Sequence, residues 1–193
     1  AEILVKRLSR ESRRKVSWFA HCWAPTTFPK CRRKESRHQA AVVAMLDAYS
    51  MDPMGDGRPL SEFAKEHLIT GLQAHPTTLV FLALKAGEPC GIATCFRGFS
   101  TFAAKPLINI SDFYVDPALR GRGVGQMLLN AVEREARAIG CCKLTLEVQQ
   151  NNGRARAIYG KFGFAQAVYA ADSEGGGSLY MVKTLSPDTT CSG

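Results

Sequence analysis

A mixed α/β sheet is the fold class the sequence predicts, on three observations. Short β-branched runs alternate with amphipathic helical segments along the chain. A glycine-rich turn joins a strand to a helix beyond the midpoint, and 46% of the 193 residues are apolar, enough to bury a core.

The elements follow in order. Gln39 to Tyr49 places Val42, Val43, Leu46 and Tyr49 at helical spacing, and Ser61 to Ala74 opens on a capping serine and carries Phe63, Leu68 and Leu72. Met51 to Pro59, broken by glycine and proline, is the loop between them. Thr77 to Lys85 turns at Ala86-Gly87-Glu88-Pro89 into Cys90 to Phe96, an antiparallel hairpin. A third strand, Leu107 to Val115, stops at Asp116-Pro117. Arg120 to Gly125 then opens a helix with Val124, Leu128, Ala131, Val132 and Ile139 on one face. Lys143 to Val148 alternates as a strand, and Asn152 caps a short helix that reaches Phe162 and is closed by Gly163. Phe164 to Tyr169 and Ser178 to Leu185 are strands joined across Gly175-Gly176-Gly177. The chain thus divides into a basic N-terminal extension (1–37), the α/β domain (38–185) and a C-terminal tail (186–193).

The net charge of +8 suggests a nucleic-acid footprint until it is located along the chain. Residues 1–37 hold 11 of the 25 Lys and Arg and 3 of the 17 Asp and Glu, which leaves 14 of each in the remainder. The domain is neutral, so nucleic acid is expected at most through the basic tail. Seven cysteines with no C-x-x-C pair argue against a disulfide framework and against structural zinc. His21, Cys22, Cys31 and His38 come nearest to a ligand cluster, but their spacing fits no common site, and no metal is expected. The longest wholly apolar run, Leu79 to Leu84, falls far short of the ~20 residues of a membrane span, and no charged-then-apolar segment opens the chain. The expectation is a reduced, cytoplasmic protein without membrane association.

Arg120-Gly121-Arg122-Gly123-Val124-Gly125 between a strand and an amphipathic helix is a device for binding phosphates. Glycines let the backbone come close, successive N–H groups converge, and the positive end of the helix favours a diphosphate. A Walker loop requires Gly-Lys followed by Ser or Thr, and a Rossmann fingerprint requires G-x-G-x-x-G early in a βαβ unit; neither is present. Alone, the triplet is also compatible with a plain tight turn.

The second half supplies the specificity. Leu146-Glu147-Val148, Asn152, Ala155, Tyr159 and Gly163-Phe164 resemble the pattern L-E-V, then N-x-x-A-x-x-x-Y-x-x-x-G-F, of the GNAT superfamily of acyl-CoA N-acyltransferases. Arg120-x-x-Gly123-x-Gly125 matches that superfamily's R-x-x-G-x-G signature, and the resemblance covers about residues 38–185. It implies the GNAT fold: a mixed central sheet splayed between two parallel strands, helices on both faces, and the pantetheine arm of acetyl-CoA in the gap. By resemblance, backbone groups of Phe113, Tyr114 and Val115 meet the pantetheine. Backbone N–H groups of Arg120, Gly121, Arg122, Gly123, Val124 and Gly125 meet the pyrophosphate. Asn152, also suited to capping its helix, contacts the pantetheine from the other side.

The activity so implied is acetyl transfer from acetyl-CoA to a primary amine. An alkylamine with a pKa of about 10.4 is almost wholly protonated at neutral pH, so a base is required. Glu147 precedes Tyr159 by the spacing of base and acid in the ribosomal-protein N-terminal acetyltransferases, which this stretch resembles. Asp112 is the rival base, similar in place to an acidic residue near the acceptor site of polyamine acetyltransferases. Tyr159 matches the family's acid, which protonates the leaving thiolate, and a backbone N–H near Val115 would hold the oxyanion. Cys141 and Cys142 have no His nearby in sequence, so direct attack is expected rather than an acyl-cysteine.

The acceptor is left open between a small amine, an amino acid, and a protein N-terminus or lysine. Asp47, Asp52 and Asp56 beside the interhelical loop favour a cationic small amine. Rival readings are a noncatalytic acyl-CoA sensor and an RNA-binding module using the tail; a homodimer is a compatible assembly. One departure stands out. A GNAT domain runs from a strand almost directly into its first helix, yet Phe28 to His38 shows no alternating apolar pattern. That strand is missing or displaced, with Glu2 to Leu8 and Val16 to Trp23 as candidates.

Overall fold

A computed structural model describes residues 2–7, 29–167 and 177–185. The first strand, β1, is Glu2–Arg7, followed by helices α1 (Pro29–Met51) and α2 (Glu62–Ala74). Strands β2 (Thr78–Lys85), β3 (Glu88–Ser100) and β4 (Lys105–Val115) come next, and a 3₁₀ turn at Pro117–Leu119 leads into α3 (Val124–Ala138). The chain continues through β5 (Lys143–Gln149), α4 (Gly153–Phe162), β6 (Ala165–Gln166) and β7 (Ser178–Thr184). The strands form one sheet in the order β1-β2-β3-β4-β5-β7-β6. All neighbours are antiparallel except β4 and β5.

Local chemistry accounts for the joints. Ala86 and Gly87 both take positive φ, the primed turn that suits the twist of a two-stranded hairpin. Ser61 accepts a hydrogen bond from the Ala64 N–H at 3.1 Å and so starts α2 as expected. The core lies on both sides of the sheet. On one side α3 and α4 cover the sheet; Leu128, Leu129 and Val132 of α3 are completely buried against Phe81, Ala93 and Ile108. Each such leucine contributes about 1.5–3 kcal/mol of transfer free energy. On the other side Val42, Leu46 and Leu72 of α1 and α2 close over Val80, Leu82, Ile92 and Tyr114.

Two boundaries differ from the sequence reading. Helix α1 starts at Pro29, ten residues before Gln39, and the boundary set between residues 37 and 38 falls inside it. Pro29 has the fixed φ of a first helical residue, and the Lys and Arg after it are good helix formers; apolar periodicity is blind to such a polar turn. The β3–β4 hairpin extends to Ser100 and Lys105, past the Phe96 and Leu107 expected as its ends. The displaced strand is Glu2–Arg7, antiparallel to β2 through Glu2↔Leu84 to Arg7↔Leu79. Of the strand expected over Phe164 to Tyr169, Ala165–Gln166 is β6; its last two residues, the alternative at Val16 to Trp23, and the tail lie outside the described residues.

Candidate functional site

The site begins where β4 and β5 part. They are paired only over Leu107–Ile110 and Lys143–Leu146. Beyond that point β4 stays on β3 as far as Val115↔Gly91, and β5 stays on β7 as far as Gln149↔Ser178. The facing edges of Ser111–Val115 and Glu147–Gln149 are therefore released from each other. The physical cause lies in β4, where Ile110 pairs with Cys95 and Asp112 with Thr94, leaving Ser111 as an extra residue. Such a bulge bends its strand and re-aims the side chains after it. Ile108 and Ile110 before it, and Phe113 and Val115 after it, all pack on the α3–α4 side. Tyr114 packs on the α1–α2 side.

Past β4 the chain enters the glycine loop. Gly121 and Gly123 have φ of 77° and 81°, a region where an L side chain is strained, and Gly123 caps α3. The Arg120 and Arg122 N–H groups turn back to Pro117 and Leu119 carbonyls at 3.3 and 3.4 Å. Of the six N–H groups expected to meet a diphosphate, these two are thus drawn into the turn. The first-turn donors of α3 have no carbonyl one turn earlier and keep the positive end of the helix dipole. A Cβ added to Gly125 would lie 3.6 Å from the Phe113 ring, an ordinary van der Waals distance, which places the start of α3 beside β4.

Helix α4 supplies the opposite wall. Asn152 accepts a hydrogen bond from the Ala155 N–H at 3.1 Å. Tyr159 is 6% exposed, with its ring edge-on to Phe113 and to Phe164, each at 5.8 Å between centroids. Burial, and then the neighbouring Tyr49, push its phenol well above the usual range, so the hydroxyl keeps its proton throughout the neutral range.

Across the sheet is a polar face. The Thr145 hydroxyl donates to Asn109 Oδ1 at 2.9 Å, tying β5 to β4 just before they separate, and Gln149 reaches the Met54 carbonyl at 3.4 Å. Glu147, between Thr145 and Gln149 on this face, is exposed. Asp112 is half-buried; desolvation pushes its carboxyl above the usual range, opposed by the Thr94 hydroxyl opposite on β3. Tyr49, at the end of α1, lies over the Tyr114 ring at 5.9 Å, and its phenol is raised first by burial and then by Asp112, Asp52 and Asp56.

The 123 residues from 42 to 164, which carry both the glycine loop and the Asn152–Tyr159 helix, match the Acetyltransferase (GNAT) family. The chain belongs to that family. Among curated relatives, the "Putative phosphinothricin acetyltransferase YwnH" of Bacillus subtilis (strain 168) is 30% identical over 161 residues, 80% of this chain and 95% of that protein. Among solved structures, a "probable acetyltransferase" superposes with a TM-score of 0.64 at 18% identity over 90% of this chain and 97% of its own. The PaiA N-acetyltransferase of Thermoplasma acidophilum, solved with coenzyme A, gives 0.58 at 16% identity over 96% and 100%. At such identities the superpositions speak for the fold, and they agree with the splayed mixed sheet.

In this GNAT domain Phe113 and Val115 on the released part of β4 share the α3–α4 side with Tyr159 and the start of α3 at Gly125, while Tyr114 packs on the α1–α2 side and Asn152 caps α4. Glu147 and Asp112 belong to the polar face. The three acidic residues have different partners: Asp47 accepts from the Leu60 N–H at 2.8 Å and lies 3.5 Å from Lys65, and Asp52 pairs with Arg120, while Asp56 is exposed. Cys141 is buried, and its thiol is pushed up to about 11, by burial first and by Cys142 second, a poor state for a nucleophile. Among the described residues no group of His, Cys, Asp and Glu is placed to hold a metal, and no helix is long and apolar enough to cross a membrane. His21 and Cys22 lie outside the described residues. Sequence reading missed Tyr49 and the Asp52–Arg120 pair. Only their position at a helix end and in a loop marked them, and their partners are 65 and 68 residues away.

Proposed function

We propose that the chain transfers the acetyl group of acetyl-CoA to a primary amine by direct attack. The observation that carries this reading is the release of β4 from β5 at Ser111, with the glycine loop at one mouth of the gap and the Tyr159 ring in its wall. The gap suits the ligand: the released edge of Phe113 to Val115 offers backbone groups to an amide-bearing arm, and Gly121 and Gly123, with open space where a Cβ would stand, leave room for a diphosphate. Bound there, acetyl-CoA supplies an activated thioester; the chain's own residues do the rest. Membership of the acetyltransferase family lends support to that ligand.

In this reading the amine's C–N bond forms first, the C–S bond of the tetrahedral adduct then breaks, and two protons leave the nitrogen, one before attack and one, relayed by Tyr159, to the sulfur. Glu147, open to the incoming ammonium, takes the first, either directly or through water; Asp112 is the alternative, its carboxyl raised above the ordinary range by burial. Tyr159, held protonated by burial, donates the second to the departing thiolate. A backbone N–H near Val115 faces the developing oxyanion.

A thiol-release screen with acetyl-CoA against aliphatic, aromatic, amino-acid and peptide amines tests the proposal. Amine-dependent thiol release supports it. Tight acetyl-CoA binding without release for any amine would replace it with a noncatalytic acyl-CoA sensor.

A further inference from the structure

Arg120 opens the glycine loop, yet its side chain is turned away from that loop's mouth. Its Nε–H donates to the Val115 carbonyl at 2.9 Å, and its guanidinium lies 5.7 Å from the centroid of the Tyr114 ring. Its second NH₂ group donates to Asp52 Oδ2 at 2.5 Å, and the Asp52 side chain is only 7% exposed. Asp52 stands at the start of the loop between α1 and α2. Its other oxygen accepts from the Met54 N–H at 2.9 Å, its own N–H bonds to the Tyr49 carbonyl at 3.0 Å, and its carbonyl accepts from the Gly55 N–H at 2.8 Å. Gly55 is required in this turn, because a Cβ there would come within 2.2 Å of the Tyr49 carbonyl.

One guanidinium therefore joins three parts of the site: the end of β4, the entry to the diphosphate loop, and the loop bordering the polar face. Lysine could not do this, because a single ammonium lacks the planar fork that reaches two acceptors at once. Burial opposes the ionisation of Asp52, but the hydrogen bonds from Arg120 and Met54, followed by the charges of Arg120 and Arg154, hold its carboxyl below the ordinary range.

We infer that Asp52 and Arg120 are a positioning pair that transmits acyl-CoA binding at the glycine loop to the order of the acceptor-side loop, residues 52–60. This rests on the glycine loop being the diphosphate site. A ligand that fixes the loop backbone around residues 120–125 narrows the freedom of Arg120. Through its two hydrogen bonds, Arg120 then fixes Val115 and Asp52 together. By linkage, an acceptor that orders residues 52–60 tightens CoA in the same proportion.

Hydrogen–deuterium exchange of the full chain, with and without CoA, tests the inference. In the wild type CoA should slow exchange both at 121–127 and at 53–60. In Asp52→Asn, protection at 121–127 should persist while protection at 53–60 falls by roughly fivefold or more, the lower range of ordinary allosteric coupling. Arg120→Lys keeps a cation without the fork and should behave in the same way, which covers the case of Asp52→Asn failing to fold. Asp47→Ala is the structural control. It removes the acceptor of the Leu60 N–H without touching Arg120, and should loosen 53–60 equally with and without CoA. Protection at 121–127 but not at 53–60 in the wild type, or protection at 53–60 surviving in both variants, would overturn the inference. No protection at 121–127 in the wild type would instead remove the diphosphate site on which it rests.

Discussion

Replacing Tyr159 with Phe isolates one hydroxyl. The ring is 6% exposed and held edge-on between Phe113 and Phe164, contacts that Phe retains in full. Stability should therefore change by no more than about 1 kcal/mol, the net worth of a single hydroxyl hydrogen bond. CoA affinity should be nearly unchanged. If the hydroxyl protonates the departing thiolate, turnover should fall roughly 10²–10⁴-fold, equivalent to about 2.7–5.5 kcal/mol at the transition state. Both kcat and kcat/KM should fall alike, since the interaction develops only as sulfur leaves. Thiol release with the best amine from the screen, alongside calorimetric CoA binding and a melting curve, reads all three quantities. Near-normal turnover in a folded, CoA-binding Tyr159→Phe would refute the reasoning and leave Tyr159 as a core aromatic.

Acetyl-CoA should raise the melting temperature while NAD and ATP do not, with about 2.7 kcal/mol of added stability at one hundred times the dissociation constant; an equal shift from ATP would count against the gap as a pantetheine site. Gly123→Val should abolish that shift, since φ of 81° is strained for a β-branched residue and the side chain would fill the diphosphate cradle, and calorimetry with CoA checks this directly. Glu147→Gln should depress the acidic limb of the pH–rate profile, with activity partly regained at high pH where free amine is abundant; if Asp112→Asn alone removes that limb, the base is Asp112. Because the Asp112 carboxyl is raised in the folded state, ionising it costs stability as pH rises from the ordinary carboxylate range through the folded value, so Asp112→Asn should be the more stable protein at pH 7 in urea titrations. Glu133 shows the opposite sign: burial raises it, but hydrogen bonds from Lys183 and Arg137 outweigh burial and hold it low. Its stability is therefore present above the unfolded value and lost as pH falls through the folded one. Glu133→Gln should lose about 1.5–3 kcal/mol at pH 7, a deficit that shrinks in acid.

What could be read from the sequence was what local chemistry determines. Caps at Ser61 and Asn152, the glycine C-cap at 163, and the apolar stripe of α3 each depend on residues within a few positions, and each appears where expected. The glycine loop and the Asn152–Tyr159 helix were legible for the same reason. What escaped depends on distant partners. The bulge at Ser111 is defined only by its register against Thr94 and Cys95, so neither the reversal of faces in β4 nor the polar company of Asp112 could be seen. The three aspartates near the loop looked alike in sequence, but long-range partners give them different roles, with Asp47 holding the Leu60 N–H and Asp52 as the mate of Arg120. Helix α1 lost its first ten residues because a charged helical turn has no apolar period to detect.

The central claim is that this GNAT domain moves an acetyl group from sulfur to an amine nitrogen through the gap between β4 and β5. Mass spectrometry of the amine after incubation with isotopically labelled acetyl-CoA tests it most directly. The account predicts a labelled acetyl group on the amine nitrogen, formed in proportion to released CoA, strongly reduced in Tyr159→Phe and absent in Gly123→Val. Released CoA without labelled amine, or labelled amine formed equally by wild type and Gly123→Val, would contradict it.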